Sequence, residues 1–140
     1  MAIMELGPNI DISKFPAHED MATSAGDDSA YINRVVCLNS DEEVCYPTAI
    51  TDIPFGVLIE GGLAGEYVTV RVFGVVPVKV IEAIALPAVI GIGVDGADVD
   101  GRVKAAVATN YTMGQLIEHS DAEDDIVTAM INCLSMQIKA

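Results

Sequence analysis

Short apolar runs, cut by glycine and proline, fill the middle of the chain between residues 52 and 104. Residues 68–72 read Val-Thr-Val-Arg-Val, an alternation with the period of two that a half-buried strand requires. Three further valines keep the same parity beyond Gly74, whose position suggests a bulge or a bend. Pro77 lacks an N–H group, so the strand continues there only at an edge or after a kink.

The same alternation predicts strands on both sides of this stretch. Residues 32–38 and 43–46 are expected to form a hairpin, because the Asn-Ser-Asp-Glu sequence between them is typical of a turn. Residues 126–138 fit either a helix or a strand. We favour the strand, because it would close a β-meander. The expected fold is all-β, a small β-barrel or sandwich-like meander over residues 31–140.

Residues 1–30 lack this pattern. They contain Gly-Pro, Phe-Pro and Ala-Gly-Asp-Asp sequences, carry mostly acidic charge and show no sustained periodicity. Alone, such a segment buries too little apolar area to offset its loss of conformational entropy. Two interpretations stay open: a disordered tail, or an extended N-terminal arm that becomes ordered against a neighbouring subunit through its scattered apolar residues.

The charge balance is strongly acidic, with 21 Asp and Glu against 7 Lys and Arg and a formal net charge of −14. A nucleic-acid-binding surface needs Lys and Arg to neutralise phosphates, and the few basic residues here are scattered. We therefore expect no contact with nucleic acid or with an anionic membrane. The longest uncharged apolar run, residues 83–94, is too short to cross a bilayer, and no secretory signal pattern is present.

The three cysteines, Cys37, Cys45 and Cys133, do not have the spacing of metal ligands. The simplest interpretation is three reduced, buried thiols in a protein that is made in the cytoplasm. Cys37 and Cys45 also stand on the two sides of the predicted hairpin, where one disulfide is an open alternative.

Two glycine- and aspartate-containing motifs lack the context that their chemistry needs. Residues 91–96 match the G-x-G-x-x-G dinucleotide fingerprint, but no helix or βαβ unit follows them. Asp95, Asp98 and Asp100 precede Gly101, but their spacing is not that of an EF-hand calcium loop. Strand glycines and a solvated acidic turn explain both motifs, and we expect no cofactor and no metal site.

The two histidines, His18 and His119, are expected at the surface. His119, Ser120 and Asp121 are adjacent in sequence, which is not the spatial arrangement of a hydrolytic triad. The chain has no G-x-S-x-G elbow, H-E-x-x-H motif or P-loop. We therefore expect no catalytic residue.

One enzyme family bears a faint similarity to residues 93–95 and 100–102, which read Gly-Val-Asp and Asp-Gly-Arg. Small trimeric all-β dUTPases carry a Gly-Val-Ile-Asp-type strand that ends in Tyr-Arg-Gly. The nucleoside-stacking tyrosine of that motif is missing here, and so are the family's Arg-Ser-rich phosphate segment and its glycine-rich C-terminal arm.

A broader resemblance covers about residues 30–140. As an ordered set, five pieces resemble the bacteriophage capsid decoration (cement) proteins of the DUF2190 kind. The pieces are RVVCLN at 34–39, DIPFGVL at 52–58, AGEYVTVRVFGV at 64–75, Asp-Gly at 95–96 with Gly-Arg at 101–102, and GQL at 114–116. Residues 1–30 lie outside the resemblance.

The resemblance implies a non-enzymatic virion protein, made in the host cytoplasm, that sits on the capsid exterior as a homotrimer and clamps the major capsid protein lattice. Long N-terminal arms and exposed loops would make the contacts. The partner-binding residues expected on this basis are Ile3, Ile10, Ile12, Phe15, Leu63 and Val99. Two alternatives stay open: a trimeric dUTPase-like nucleotide hydrolase and a monomeric ligand-binding β-barrel.

Overall fold

A computed structural model of the chain describes residues 8–24, 26–94 and 101–139. These ranges contain strands, turns and bends but no helix, so the predicted all-β fold is confirmed. The strands are β1 (Ile10–Ile12), β2 (Val35–Leu38), β3 (Val44–Cys45), β4 (Gly56–Glu60), β5 (Thr69–Lys79), β6 (Val89–Gly93), β7 (Arg102–Ala105), β8 (Tyr111–Thr112), β9 (Gly114–Leu116), β10 (Ile126–Asn132) and β11 (Gln137–Ile138).

Most of the strands belong to one curled antiparallel sheet. Its order is β3-β2-β4-β5-β10-β9-β6-β7, with β1 also paired to β5, while β8 and β11 form a separate pair. The Val35 N–H group donates to the Gly101 carbonyl, and the Ile81 N–H group donates to the Val103 carbonyl. These bonds bring β7 back towards β2 and the end of β5, so the sheet closes into a half-barrel. The ambiguous segment after residue 126 begins with a strand, β10, which lies between β5 and β9.

Strand β5 is the longest element, and its burial alternates along its length. It continues through Pro77 without interruption. The N–H groups of Val75 and Lys79 donate to the Asn9 side chain and to the Asn33 carbonyl, not to β10. Residues two apart in a strand direct their N–H groups to the same side. The N–H group that Pro77 lacks would therefore point away from β10. Its absence removes no hydrogen bond between β5 and β10.

Two clusters of buried apolar side chains form the core. One cluster fills the concave side of the half-barrel, where β5, β6, β7, β9 and β10 contribute most of the residues. The other lies between β2, β3, β4, the first half of β5 and the N-terminal segment. Valine, isoleucine and leucine supply most of both clusters, as a composition with few aromatic residues requires.

Residues 10–24 fold back onto the β domain of their own chain. Strand β1 pairs with β5, the Ala17 N–H group donates to the Glu66 carbonyl at 2.8 Å, and the Met21 side chain is fully buried. The described part of the segment that was predicted as a tail or an arm up to residue 30 therefore packs against the β domain of its own chain. Residues 1–7 lie outside the described ranges.

The structure gives the first two glycines of the G-x-G-x-x-G motif, Gly91 and Gly93, a packing role. A Cβ atom on Gly91 would lie only 2.9 Å from the Asn110 side chain, and one on Gly93 would lie 3.0 Å from Ile81. Asn110 is fully buried and donates to the carbonyls of Ile50 and Ile92. The missing side chain of Gly91 thus makes room for a polar group that joins a loop to β6.

Candidate interaction surface

The convex side of the half-barrel carries a row of side chains that crosses four strands. Met130 of β10 is paired with Val75 of β5 on one side and with Gln115 of β9 on the other, and Gln115 is paired with Val89 of β6. Paired residues of neighbouring strands project from the same face of a sheet, and strands lie about 4.8 Å apart. The row is therefore roughly 14 Å long.

Apolar residues extend this row along the strands. Ile126 and Thr128 precede Met130 on the same side of β10, and Pro77 is paired with Thr128. Ile126 is 56% exposed and Met130 is 41% exposed. We call this surface the outer face; its residues are Phe73, Val75, Pro77, Val89, Gln115, Ile117, Ile126, Thr128 and Met130.

A groove of about 450 Å³ runs along part of the outer face. Strands β5 and β10 and the segment that contains β8 and β9 form its walls. Gly114 lines it with a φ of +154°, and a Cβ atom at this position would overlap with the Met130 carbonyl. Glycine is therefore required where β9 approaches β10, and this close approach shapes the groove beside Met130.

The nine residues that define the outer face are uncharged, although the whole chain has a net charge of −14. Two basic side chains of β5, Lys79 and Arg71, continue the same face beyond Pro77 and Phe73. Lys79 is paired with Ile126, and Arg71 binds Asp11 at 2.8 Å. Glu118 accepts a hydrogen bond from the Thr128 hydroxyl and another from the Thr128 N–H group, and these bonds lower the pKa of its carboxyl group.

The structure places the predicted partner-binding residues in different environments. Ile12 and Phe15 pack against the core of their own chain, where Phe15 lies edge-on to Phe55 with ring centroids 5.7 Å apart. Leu63 is half-buried in the loop between β4 and β5. Ile10 is 41% exposed and is paired with Phe73, so it lies at the edge of the outer face.

Ile3 and Val99, the other two predicted partner-binding residues, lie outside the described ranges. Of the four predicted partner-binding residues that the structure describes, only Ile10 lies close to the outer face. Sequence reasoning missed the row around Met130. The alternation of residues between the two faces of β5 and β10 was visible in the sequence. The pairing of strands that aligns Val75, Met130, Gln115 and Val89 was not.

The residues that suggested a hydrolase form hydrogen bonds or ion pairs within the fold. The Ser120 hydroxyl is buried, donates to the Glu82 carbonyl and accepts from the Ile84 N–H group. His18 and His119 are exposed, as predicted. Arg102 is buried and donates to Glu123 at 2.8 Å and to Asp124 at 3.1 Å.

The described ranges also lack the features of a metal site and of a membrane-spanning helix. They contain no group of three or more His, Cys, Asp or Glu residues that could hold a metal ion. No helix with the length and hydrophobicity to cross a bilayer is found in this part of the chain. Asp95, Asp98 and Asp100, from the suspected calcium loop, lie outside it.

A scan of the chain against protein-family models finds no matching family, and a search among curated proteins finds no match. The likeness to capsid decoration proteins therefore stays a prediction from the residues quoted above. The outer face is the feature from which a function can be argued.

Proposed function

We propose that this protein is a non-enzymatic capsid decoration protein that attaches to the exterior of a bacteriophage shell through its outer face. Its partners on this proposal are the major capsid protein and further copies of itself in a homotrimer. The observation that carries the proposal is an uncharged, largely apolar outer face on a strongly acidic chain. That the partner surface is a bacteriophage capsid is inferred from the sequence resemblance.

Charge is the first reason to assign attachment to this surface. A protein with a net charge of −14 repels other acidic proteins, and the repulsion is strongest where carboxylates face each other. A contact across the outer face brings no carboxylate of this face into the interface. The carboxylate of Glu118 beside this face is already held by two hydrogen bonds from Thr128 and borders the contact.

Apolar area is the second reason. Contiguous exposed apolar surface marks interaction sites on soluble proteins, and its removal from water gains about 25 cal/mol per Å² before the costs of association. Met130 lies at the centre of the row with a groove beside it, the arrangement in which interface residues contribute most to affinity.

The attached protein would stabilise the shell by mass action. A ligand that binds one form of a lattice better than another shifts the equilibrium towards the form it prefers. On this proposal the expanded shell presents the complementary surface and the precursor shell does not. The described N-terminal residues take no part as a strap, because they complete the protein's own core.

The test is attachment to capsid shells that were assembled without the protein. We expect saturable binding, with a fixed number of copies per shell, that survives about 0.5 M salt because apolar contacts are not screened. Co-purification with phage particles in stoichiometric amounts is the corresponding observation on virions. Absence of binding to expanded shells contradicts the proposal. Turnover of dUTP with Mg²⁺ would instead establish the nucleotide hydrolase.

A further inference from the structure

Two cysteines face each other across the β2–β3 hairpin. Cys37 and Cys45 are directly paired, and the Asn39 N–H group donates to the Glu43 carbonyl two residues nearer the turn. Pairs alternate between hydrogen-bonded and non-hydrogen-bonded along an antiparallel ladder, so Cys37 and Cys45 form a hydrogen-bonded pair. Their Cα atoms are then about 5.5 Å apart, within the Cα range of disulfides, although side chains lie farther apart in such a pair than in a non-hydrogen-bonded one.

The sulfur atoms already lie close to the opposite strand. The Cys45 thiol donates to the Cys37 carbonyl at 3.7 Å, and directly paired side chains project from the same face. Both thiols are free. A disulfide therefore needs no change of register, but a local shift of the two strands must bring the Cβ atoms from about 5.5 Å to the roughly 3.5–4.5 Å that the bond spans.

We propose that Cys37 and Cys45 form a redox-active pair, which a small-molecule disulfide such as oxidised glutathione converts to an intramolecular disulfide. The Cys45 thiolate attacks one sulfur of the reagent, forms a mixed disulfide and releases one glutathione thiolate. The Cys37 thiol then gives its proton to the released glutathione thiolate, and its sulfur attacks the Cys45 sulfur and releases the second glutathione as a thiolate. Two protein thiols are oxidised, and one disulfide is reduced to two thiols.

Accessibility sets the order of these steps. Cys37 is buried, and burial raises the pKa of its thiol far above the ordinary value. Cys45 is half-buried and meets the reagent first, although burial and then the carboxylates of Glu19, Asp52 and Glu43 also raise its pKa. Below that pKa each pH unit raises the thiolate fraction roughly tenfold, so the reaction accelerates as pH rises.

The carboxylates near Cys45 give the reaction a charge preference. They repel an anionic disulfide and attract a cationic one. Cystamine, whose two amines are protonated at neutral pH, is therefore expected to react faster than oxidised glutathione. Added salt should narrow the difference, because it screens both effects.

The hairpin that the disulfide would close also holds the N-terminal segment. The Val44 N–H group donates to the Pro16 carbonyl, and the His18 N–H group donates to the Val44 carbonyl, both at 2.8 Å. A covalent link between β2 and β3 fixes the strand that carries these bonds. The oxidised protein should therefore unfold at a higher temperature than the reduced one.

The test is oxidation of the folded chain, followed by alkylation of the remaining thiols and mass spectrometry. Cleavage after Glu42 separates Cys37 from Cys45, so their disulfide appears as two linked peptides. We expect two of three thiols to be lost, Cys133 to be alkylated, and the Tm to rise by about 5 °C or more. The variant Cys133→Ser should behave like the native chain.

The variant Cys37→Ser checks the order of steps, because it should accumulate a glutathione adduct on Cys45 that the native chain resolves. Circular dichroism of each variant confirms that it is folded. Three outcomes would overturn the proposal: three free thiols after oxidation of the native chain, a stable adduct on its Cys45, or a disulfide that contains Cys133.

Discussion

The substitution Met130→Glu should reduce the affinity of the protein for capsid shells at least about 100-fold. Met130 is 41% exposed, so the free protein can hold a carboxylate there in water without unfolding. In the attached protein the same carboxylate would lose its water at the centre of the contact and add to an already acidic chain. Sedimentation of shells with increasing protein concentration measures the loss.

The matched control is Ile53→Glu, which makes the same change of charge at an apolar residue in the loop before β4. Ile53 is 59% exposed and lies off the outer face. Its substitution should leave the affinity within about threefold of the native value, and both variants should retain the native Tm to within a few degrees. If Met130→Glu and Ile53→Glu bound equally well, the outer face would not be the attachment surface.

The substitution Met21→Ala should lower the free energy of unfolding by about 2–5 kcal/mol. The Met21 side chain is fully buried beside core residues of β2–β5, so its truncation leaves a cavity and loses the transfer free energy of the removed atoms. Chemical denaturation in urea measures the change. Deletion of residues 1–25 removes this side chain together with β1, and the remaining chain should then be unfolded or barely stable.

Met130→Ala is the matched control, because it removes the same atoms from an exposed position. It should change the free energy of unfolding by less than about 1 kcal/mol. A loss below about 1 kcal/mol for Met21→Ala as well would mean that the segment around Met21 is not packed against the domain in solution. The predicted arm would then return as an explanation for residues 10–24.

The central strand was predictable because its pattern is local. Alternating valines on both sides of Gly74 predicted β5 and its buried face. The structure adds that the N–H group missing from Pro77 would point away from β10, so the strand continues through the proline. The preference for strand over helix in residues 126–138 was also correct, but these residues form two strands, β10 and β11, and β10 lies inside the sheet and does not close it. Each of these features depends on residues two apart, which a single sequence displays.

The N-terminal segment and the outer face depend on contacts that a single sequence does not display. Ala17 and Met21 follow no period and are buried because backbone bonds to Glu66 and Gly62 hold them against the domain. The row through Met130 needs β10 to lie between β5 and β9, a pairing across long separations in the chain. The alternation along each strand could not show which exposed apolar residues of different strands would lie next to one another.

The most direct test of the outer face is methionine oxidation by dilute hydrogen peroxide, measured by mass spectrometry on free and shell-attached protein. In the free protein Met130 should be oxidised readily, whereas the fully buried Met21 and Met113 should resist. Attachment should slow the oxidation of Met130 at least about tenfold, because the contact excludes the reagent. Equal rates for Met130 in the free and the attached protein would contradict the assignment of this face.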